Sequence, residues 1–111
     1  MVGMKKERRV SERVRVNLVA YWEGEKGRCK GIINDLSSEG CFVLGAGVVS
    51  DGELIRLEIE MPRNKVMVLW GEISNHLEEI GFGLKFTTTG PVETKRLERM
   101  IQRAREANSA A

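Results

Sequence analysis

One short stretch holds the side chains with the clearest potential for chemistry. Asp35, Ser37 and Gly40 form a D-x-S-x-x-G pattern between two apolar runs. Asp and Ser side chains bond the backbone a residue or two further on, and glycine takes left-handed conformations or admits another group close to the backbone. The pattern therefore predicts a tight connection between two strands that carries a carboxylate and a hydroxyl. Asn34, beside it, is interpreted as turn chemistry alone.

An arginine-rich arm precedes the first predicted strand. Arg9 and Arg13 form an R-x-x-x-R pattern, and Arg8 lies next to it. Residues 5–15 carry a local charge of +4, in a chain whose formal net charge is only +2. Because arginine matches the oxygens of phosphate with a two-pronged set of donors, this arm predicts a local anionic ligand. The alternative is a solvated basic arm with no ligand.

The order of these features resembles the PilZ domain family, from about Glu7 to about Ala107. Members of that family are receptors for the bacterial second messenger cyclic di-GMP. The resemblance implies a mainly β fold, a small six-stranded antiparallel β-barrel with a C-terminal α-helix and a flexible basic N-terminal arm. It also implies a set of ligand-binding residues: Arg8, Arg9, Arg13, Asp35, Ser37 and Gly40.

The resemblance gives each of these residues a role. Arg9 and Arg13 would hold guanine edges and phosphates, since guanine presents O6 and N7 as paired acceptors. Asp35 would accept from guanine's opposite edge, Ser37 would add a hydrogen bond, and Gly40 would keep the surface open. The family often binds the messenger as a stacked pair, so one molecule or a stacked pair is expected. The alternatives are that Asp35 and Ser37 only cap the turn and that Gly40 serves backbone conformation alone.

Some family members place an aromatic side chain against a guanine near the end of the fifth strand. In this chain that position falls near Asn75 or His76. Trp70 is predicted to be a core or inter-strand aromatic, and His76 an exposed turn residue. Because base stacking contributes on the order of 1–3 kcal/mol, the lack of an aromatic predicts weaker binding.

Period-two alternation predicts six strands that would position these residues, at about 13–22, 28–34, 40–45, 54–61, 66–75 and 80–86. The fifth is mostly apolar and is expected to be buried on both faces along part of its length. Six short strands with regular turns predict a closed barrel or a sandwich. Apolar residues at helical spacing then predict a helix at about 91–107 that covers an open end of the barrel, rather than one that binds a membrane or partner.

Composition bounds the domain organisation and the chemistry. The chain has 111 residues, 41% of them hydrophobic, which predicts one domain: a flexible arm at 1–8, the barrel and helix at 9–107, and a disordered tail at 108–111. With no apolar run as long as a membrane span and no signal-peptide pattern, a cytoplasmic location without membrane insertion is expected. Cys29 and Cys41 are expected to be reduced, half-buried thiols. Neither an enzyme nor a metal or cofactor is expected, because no catalytic or metal-ligand cluster is evident.

These observations predict a single-domain cyclic di-GMP receptor that relays the signal, by ligand-induced ordering of its arm, to a separate effector protein. That partner would belong to machinery for motility or biofilm formation, secretion, polysaccharide synthesis or transcription. Two alternatives stay open, a PilZ-like interaction module without ligand binding and a small RNA- or DNA-binding β-barrel. Nucleic acid is the less favoured partner because the aromatic residues are scattered rather than placed with cations on strands.

Overall fold

The alternating apolar residues form six antiparallel strands in a computed structural model, which describes residues 12–24, 27–88 and 90–110. The strands close into a barrel in the order β1-β2-β3-β6-β5-β4, so the fold is the closed barrel and not the sandwich. Closure pairs every strand on both sides and leaves no open sheet edge. The strand bounds are Val14–Gly24 (β1), Gly27–Leu36 (β2), Gly40–Leu44 (β3), Leu54–Met61 (β4), Lys65–Leu77 (β5) and Gly81–Thr88 (β6).

One face of each strand fills the barrel. In β4, Ile55, Leu57 and Ile59 are fully buried, as their alternation with charged residues predicts. Trp22 of β1 and Phe82 of β6 meet edge to face in the interior, with ring centroids 5.1 Å apart. The barrel therefore has a packed core, and ligands must bind on its outside.

The outer face of β5 corrects one prediction. Met67, Leu69 and Ile73 are buried, whereas Val66 and Trp70 on the other face remain 51% and 48% exposed. The expectation that β5 is buried on both faces along part of its length is wrong. Trp70 is not in the core, while its register positions opposite Arg56 and Thr88 agree with the other half of its prediction, an inter-strand aromatic. The outer side of the barrel wall is covered only where the helix packs on it. An apolar run in the sequence does not show where that cover lies.

The turn before β5 lies where the predicted strand bounds place it, whereas the turn after β5 differs from expectation. A short 3-10 turn at Pro62–Asn64 joins β4 to β5, with Arg63 and Asn64 in the left-handed region at φ 65° and 60°. β5 continues to Leu77, so His76 lies in the strand opposite Phe82 and is not a turn residue. The chain then reverses at residues 78–80.

The C-terminal helix α1, Pro91–Ala110, packs against β1. Leu97 and Ile101 are buried in the core, and Met100 and Ala104 pack partly against it. The predicted apolar stripe is therefore confirmed, while the helix ends three residues later than its predicted end. In the part of the chain that the structure describes, no helix is long and apolar enough to cross a membrane.

Both cysteines are free thiols. Cys41 is fully buried, and burial is the main cause that raises the pKa of its thiol to about 12, with the nearby Asp35 carboxylate adding to the shift. Cys29 is partly buried. The prediction of reduced thiols agrees with this arrangement, although Cys41 is more deeply buried than expected.

Candidate ligand-binding site

The turn between β2 and β3 is held by Ser37. Its backbone N–H donates to the carbonyl of Gly40 at 2.8 Å. Its hydroxyl oxygen accepts from the backbone N–H groups of Glu39 and Gly40 at 3.1 and 3.2 Å. The side chain is only 2% exposed. Ser37 therefore fixes the shape of the turn, which is the capping role that its residue type allows.

Gly40 is required by the approach of a neighbouring strand. It lies opposite Lys85 in the β3–β6 register. A Cβ atom at this position would overlap the carbonyl oxygen of Leu84, a backbone atom that cannot move aside alone. Gly40 is buried and its φ is not positive. Close packing against β6 thus accounts for the glycine, rather than a special backbone conformation.

The structure joins the two sequence motifs through one ion pair. Nη1 of Arg13 donates to Oδ1 of Asp35 at 2.6 Å, across 22 residues of sequence. Asp35 reaches this position because β2 pairs with β1, where Arg15 lies directly opposite it. Arg13 remains 57% exposed and Asp35 33% exposed. A charge-assisted bond of this length orients both groups while leaving most of the guanidinium in solvent.

A cavity of about 220 Å³ opens beside this pair on the barrel wall. Arg13, Ser37 and Gly40, three of the residues predicted to bind ligand, line it together with residues from β5 and β6. Its lining is Arg13, Ser37, Glu39, Gly40, Ser74, Leu84 and Lys85. Two cations and one carboxylate in the lining make it a suitable place for an anionic group with polar edges.

Ser74 and Lys85 were not predicted as site residues. Lys85 lies opposite Gly40 only because β6 is hydrogen-bonded to β3, a pairing between strands that are not consecutive. The β5–β6 register shifts between Ile73 and Asn75, so Ser74 and Asn75 are both exposed on the wall. Bulges of this kind often lie next to functional sites. No sequence pattern marked either residue.

Arg13 also lines a second cavity, of about 500 Å³. It is formed by the start of β1 and the last turns of α1. Within it, Nη2 of Arg105 on α1 donates to Oε1 of Glu12 at 2.7 Å. Arg13 and Arg15 also line it. The basic surface around Arg13 therefore continues from the barrel wall to the end of the helix.

The remaining predicted site residues fall into two groups, those outside the described part of the chain and those outside the two cavities. Arg8 and Arg9 lie outside the described residues. Asn75, His76 and Trp70, considered for a contact with a guanine, do not line either cavity as far as the structure describes them. Among the described residues, no cluster of three or more His, Cys, Asp or Glu side chains forms a metal site.

Comparison with protein-family models finds one match, to the PilZ domain, over residues 7–103. No curated protein matches the chain in sequence. The fold is similar to the PilZ domain of YcgR from Escherichia coli, whose structure contains c-di-GMP, with 17% identity and a TM-score of 0.77. That match covers 93% of this chain and 96% of the other.

Longer proteins match over part of their length. The Bacillus subtilis inhibitor of motility MotI/DgrA is 20% identical, with a TM-score of 0.75 over 91% of this chain and 52% of its own. The Borreliella burgdorferi PlzA protein, solved in complex with c-di-GMP, is 15% identical, with a TM-score of 0.63 over 90% of this chain and 43% of its own. This chain thus spans about half the length of these two proteins, and at such identities the likeness establishes the fold.

Proposed function

The chain belongs to the PilZ domain family, and we propose that it is a receptor for cyclic di-GMP. The observation that carries the proposal is the ion pair between Arg13 and Asp35, which brings the arginine motif and the D-x-S-x-x-G turn together beside an open cavity. The c-di-GMP named in the structures of the YcgR domain and of PlzA supports the same ligand. It would be a signalling ligand and not a cofactor, bound by a regulatory module and not by an enzyme.

The ligand would meet complementary groups on both sides of this pair. Asp35 uses one carboxylate oxygen on Arg13, and the other has no hydrogen-bond partner within the described residues. In the proposed complex that oxygen would accept from the N1–H and N2–H donors of a guanine, although Asp35 itself lines neither cavity. Arg13 retains donors for O6 and N7 of a guanine or for a phosphate. The pair therefore orients two recognition groups before the ligand arrives, which reduces the entropy lost on binding.

The other predicted residues complete the proposed site. Arg8, from the proposed arm at residues 1–8, and Arg9, directly after it, would close over the ligand. Ser37 and Gly40, which both line the cavity, would hold the turn that presents Asp35, and Ser37 would add a hydrogen bond to the ligand. Arg13 lines two cavities, so either one ligand or a stacked pair would be in its reach.

Ordering of the arm would carry the signal to a separate effector protein. Glu12, next to Arg13, is bonded to Arg105 of α1. A ligand that draws Arg13 toward the barrel wall would therefore also act on the end of the helix. We place this event in the cytoplasm, with an effector from motility, biofilm, secretion, polysaccharide or transcriptional machinery. Amide hydrogen exchange tests the switch: residues 5–13 should become protected at saturating ligand, and unchanged exchange there would refute it.

Calorimetric titration tests the binding itself. Wild type should bind cyclic di-GMP but not GMP or GTP, with the stoichiometry separating one molecule from a stacked pair. Asp35→Asn and Arg9→Ala should each weaken binding about a hundredfold or more, since a buried polar edge of the ligand loses its partner. Glu58→Gln is the matched control, because it also removes a carboxylate paired with arginine on the barrel wall. Folded wild-type protein that binds no cyclic di-GMP at high micromolar concentration would refute the receptor function.

A further inference from the structure

A groove runs along one side of α1, between the helix and the β4–β5 turn of the barrel. Two adjoining cavities form it, of about 220 Å³ and about 360 Å³. Both contain Met61, Pro62 and Met100 in their lining. The second continues along Val16 and Leu18 of β1. The floor of the groove is thus apolar and rich in methionine, whose flexible thioether side chains adapt to varied partner surfaces.

Positive charge surrounds the first part of this groove. Arg96, Arg99 and Arg103 follow each other at spacings of three and four along one side of α1. Arg63 and Lys65 face them from the β4–β5 turn, and no acidic side chain of the described residues belongs to this part of the lining. The adjoining part contains one carboxylate, Glu60, together with a further cation, Arg15.

Within the described part of the chain, ion pairs do not neutralise this charge. Among the described residues, none of the five cations around the first cavity forms an ion pair. Like charges three and four residues apart oppose helix formation, so the row on α1 does not stabilise the helix that carries it. Five uncompensated cations around an apolar floor are better explained by a ligand with the opposite charge.

The backbone of the turn that carries Arg63 also supports a ligand-binding role for the groove. Arg63 and Asn64 are both left-handed, at φ 65° and 60°. Asparagine tolerates this conformation and arginine rarely adopts it, because its Cβ crowds the backbone. The turn keeps Arg63 in an unfavourable conformation, and its side chain lines the cavity opposite α1. Unfavourable backbone conformations of this kind occur preferentially at ligand-binding positions.

We propose that this groove binds an acidic, amphipathic segment of a protein partner. Apolar side chains of the segment would enter the methionine-lined floor, and its carboxylates would pair with the arginines of the rim. Nucleic acid fits less well, because no aromatic side chain lines either cavity in the described part of the chain, and bases would find no surface to stack on.

The groove also adjoins the candidate cyclic di-GMP site. Arg15 and Asn108 line both the groove and the cavity that contains Glu12 and Arg13. A change in the arm would therefore reach the end of the groove through shared residues. This coupling rests on the proposed receptor function, whereas docking of the acidic segment does not.

Selection from a phage-displayed library of random peptides on the immobilised full chain tests the docking. Enriched peptides should combine Asp or Glu with apolar anchors, and salt should weaken their binding. The double variant Arg99→Glu/Arg103→Glu should lose about tenfold or more in affinity for them. The control Lys95→Glu/Lys30→Glu makes the same charge change at exposed residues that line neither cavity, and it should retain affinity.

Three results would overturn the proposal. The first is a selection that enriches no acidic peptides. The second is equal binding of the enriched peptides to the Arg99/Arg103 variant and to wild type. The third is tighter binding of a mixed-sequence DNA duplex or single-stranded RNA through the same arginines. Thermal unfolding checks that both variants are folded. Calorimetry with cyclic di-GMP separates the two functions, because the Arg99/Arg103 variant should keep wild-type affinity for the messenger whether or not it binds peptides.

Discussion

Two arginine–carboxylate clusters lie on the outside of the barrel, and they differ in whether their charges are satisfied. At the first, Arg13 and Asp35 form a single pair beside a cavity. At the second, Glu58 accepts from Arg28 and from Arg56. Arg28 also pairs with Glu23 and lies over a Tyr21 ring, 4.8 Å from its centroid; the second cluster is therefore satisfied by its own members.

The difference shows what distinguishes a candidate recognition site from a structural ion pair. Glu58 has both carboxylate oxygens occupied, and the hydrogen bond from Arg28, followed by that from Arg56, lowers the pKa of its carboxyl to about 2. Asp35 has one oxygen occupied, and its arginine is more than half exposed. An ion pair is a candidate binding site where it retains unused donors and acceptors next to an open surface, not simply where opposite charges meet.

The largest expected effect is a loss of stability, and it arises in the turn between β2 and β3 rather than at either ion-pair cluster. Gly40→Ala should lower the free energy of unfolding by about 3 kcal/mol, because the new methyl group must push β3 away from the backbone of β6. Chemical denaturation measures this loss. Gly90→Ala is the matched control, since a Cβ there would meet only the flexible end of the Glu93 side chain. A Gly40→Ala protein as stable as the control would contradict the close approach.

Removal of the turn's hydroxyl should have the next largest effect. Ser37→Ala would leave the backbone N–H groups of Glu39 and Gly40 without their shared acceptor in a nearly buried position. The expected loss in the free energy of unfolding is about 1–2 kcal/mol. Ser38→Ala, an exposed neighbour in the same turn, provides the control in the same denaturation experiment. Equal stability of the two variants would mean that the Ser37 hydroxyl does not hold the turn.

Much of the fold could be predicted from local patterns. The strict alternation in β4 gave both of its ends, Leu54 and Met61, and helical spacing gave the buried stripe on α1. The exposure of Trp70 could not be predicted in this way, because an apolar residue in a strand carries no information on whether a second layer covers its face. Similarly, a polar residue such as His76 resembles the start of a turn until the pairing of β5 with β6 is known.

The candidate site likewise contains residues that the sequence could identify and residues that it could not. The motif residues Arg13 and Asp35 were identified from sequence, and the structure brings them within 2.6 Å of each other. The predicted ligand roles of these residues stay predictions. Lys85 and Ser74 could not be found, since one depends on the pairing of non-consecutive strands and the other on a register shift. Sequence therefore identifies groups with local signatures, and the topology supplies their neighbours.

A conservative change at the first cluster tests whether ligand binding needs the shape of the Arg13 side chain or only its charge. Arg13→Lys keeps the charge beside Asp35 but removes the planar fork that can serve a carboxylate and a ligand at once. The affinity for cyclic di-GMP should fall about tenfold, which corresponds to about 1.4 kcal/mol. Arg28→Lys makes the same change at the second cluster and should leave the affinity unaltered. Equal affinities for wild type and the Arg13 variant would show that charge alone suffices there.

The smallest expected effect lies at the second cluster and depends on pH. Because the folded-state pKa of Glu58 is lowered from 4.5 to about 2, its ion pairs stabilise the protein above pH 4.5, and this contribution is lost as the pH falls through that window. Glu58→Gln should therefore be slightly less stable than wild type at neutral pH, and the difference should shrink toward pH 2. Exposed ion pairs contribute little in water, so the difference should be small. Urea midpoints of both proteins across the window measure it. A difference that does not change with pH would place the stabilising charge elsewhere, and reduced cyclic di-GMP affinity in Glu58→Gln would remove the distinction between the two clusters.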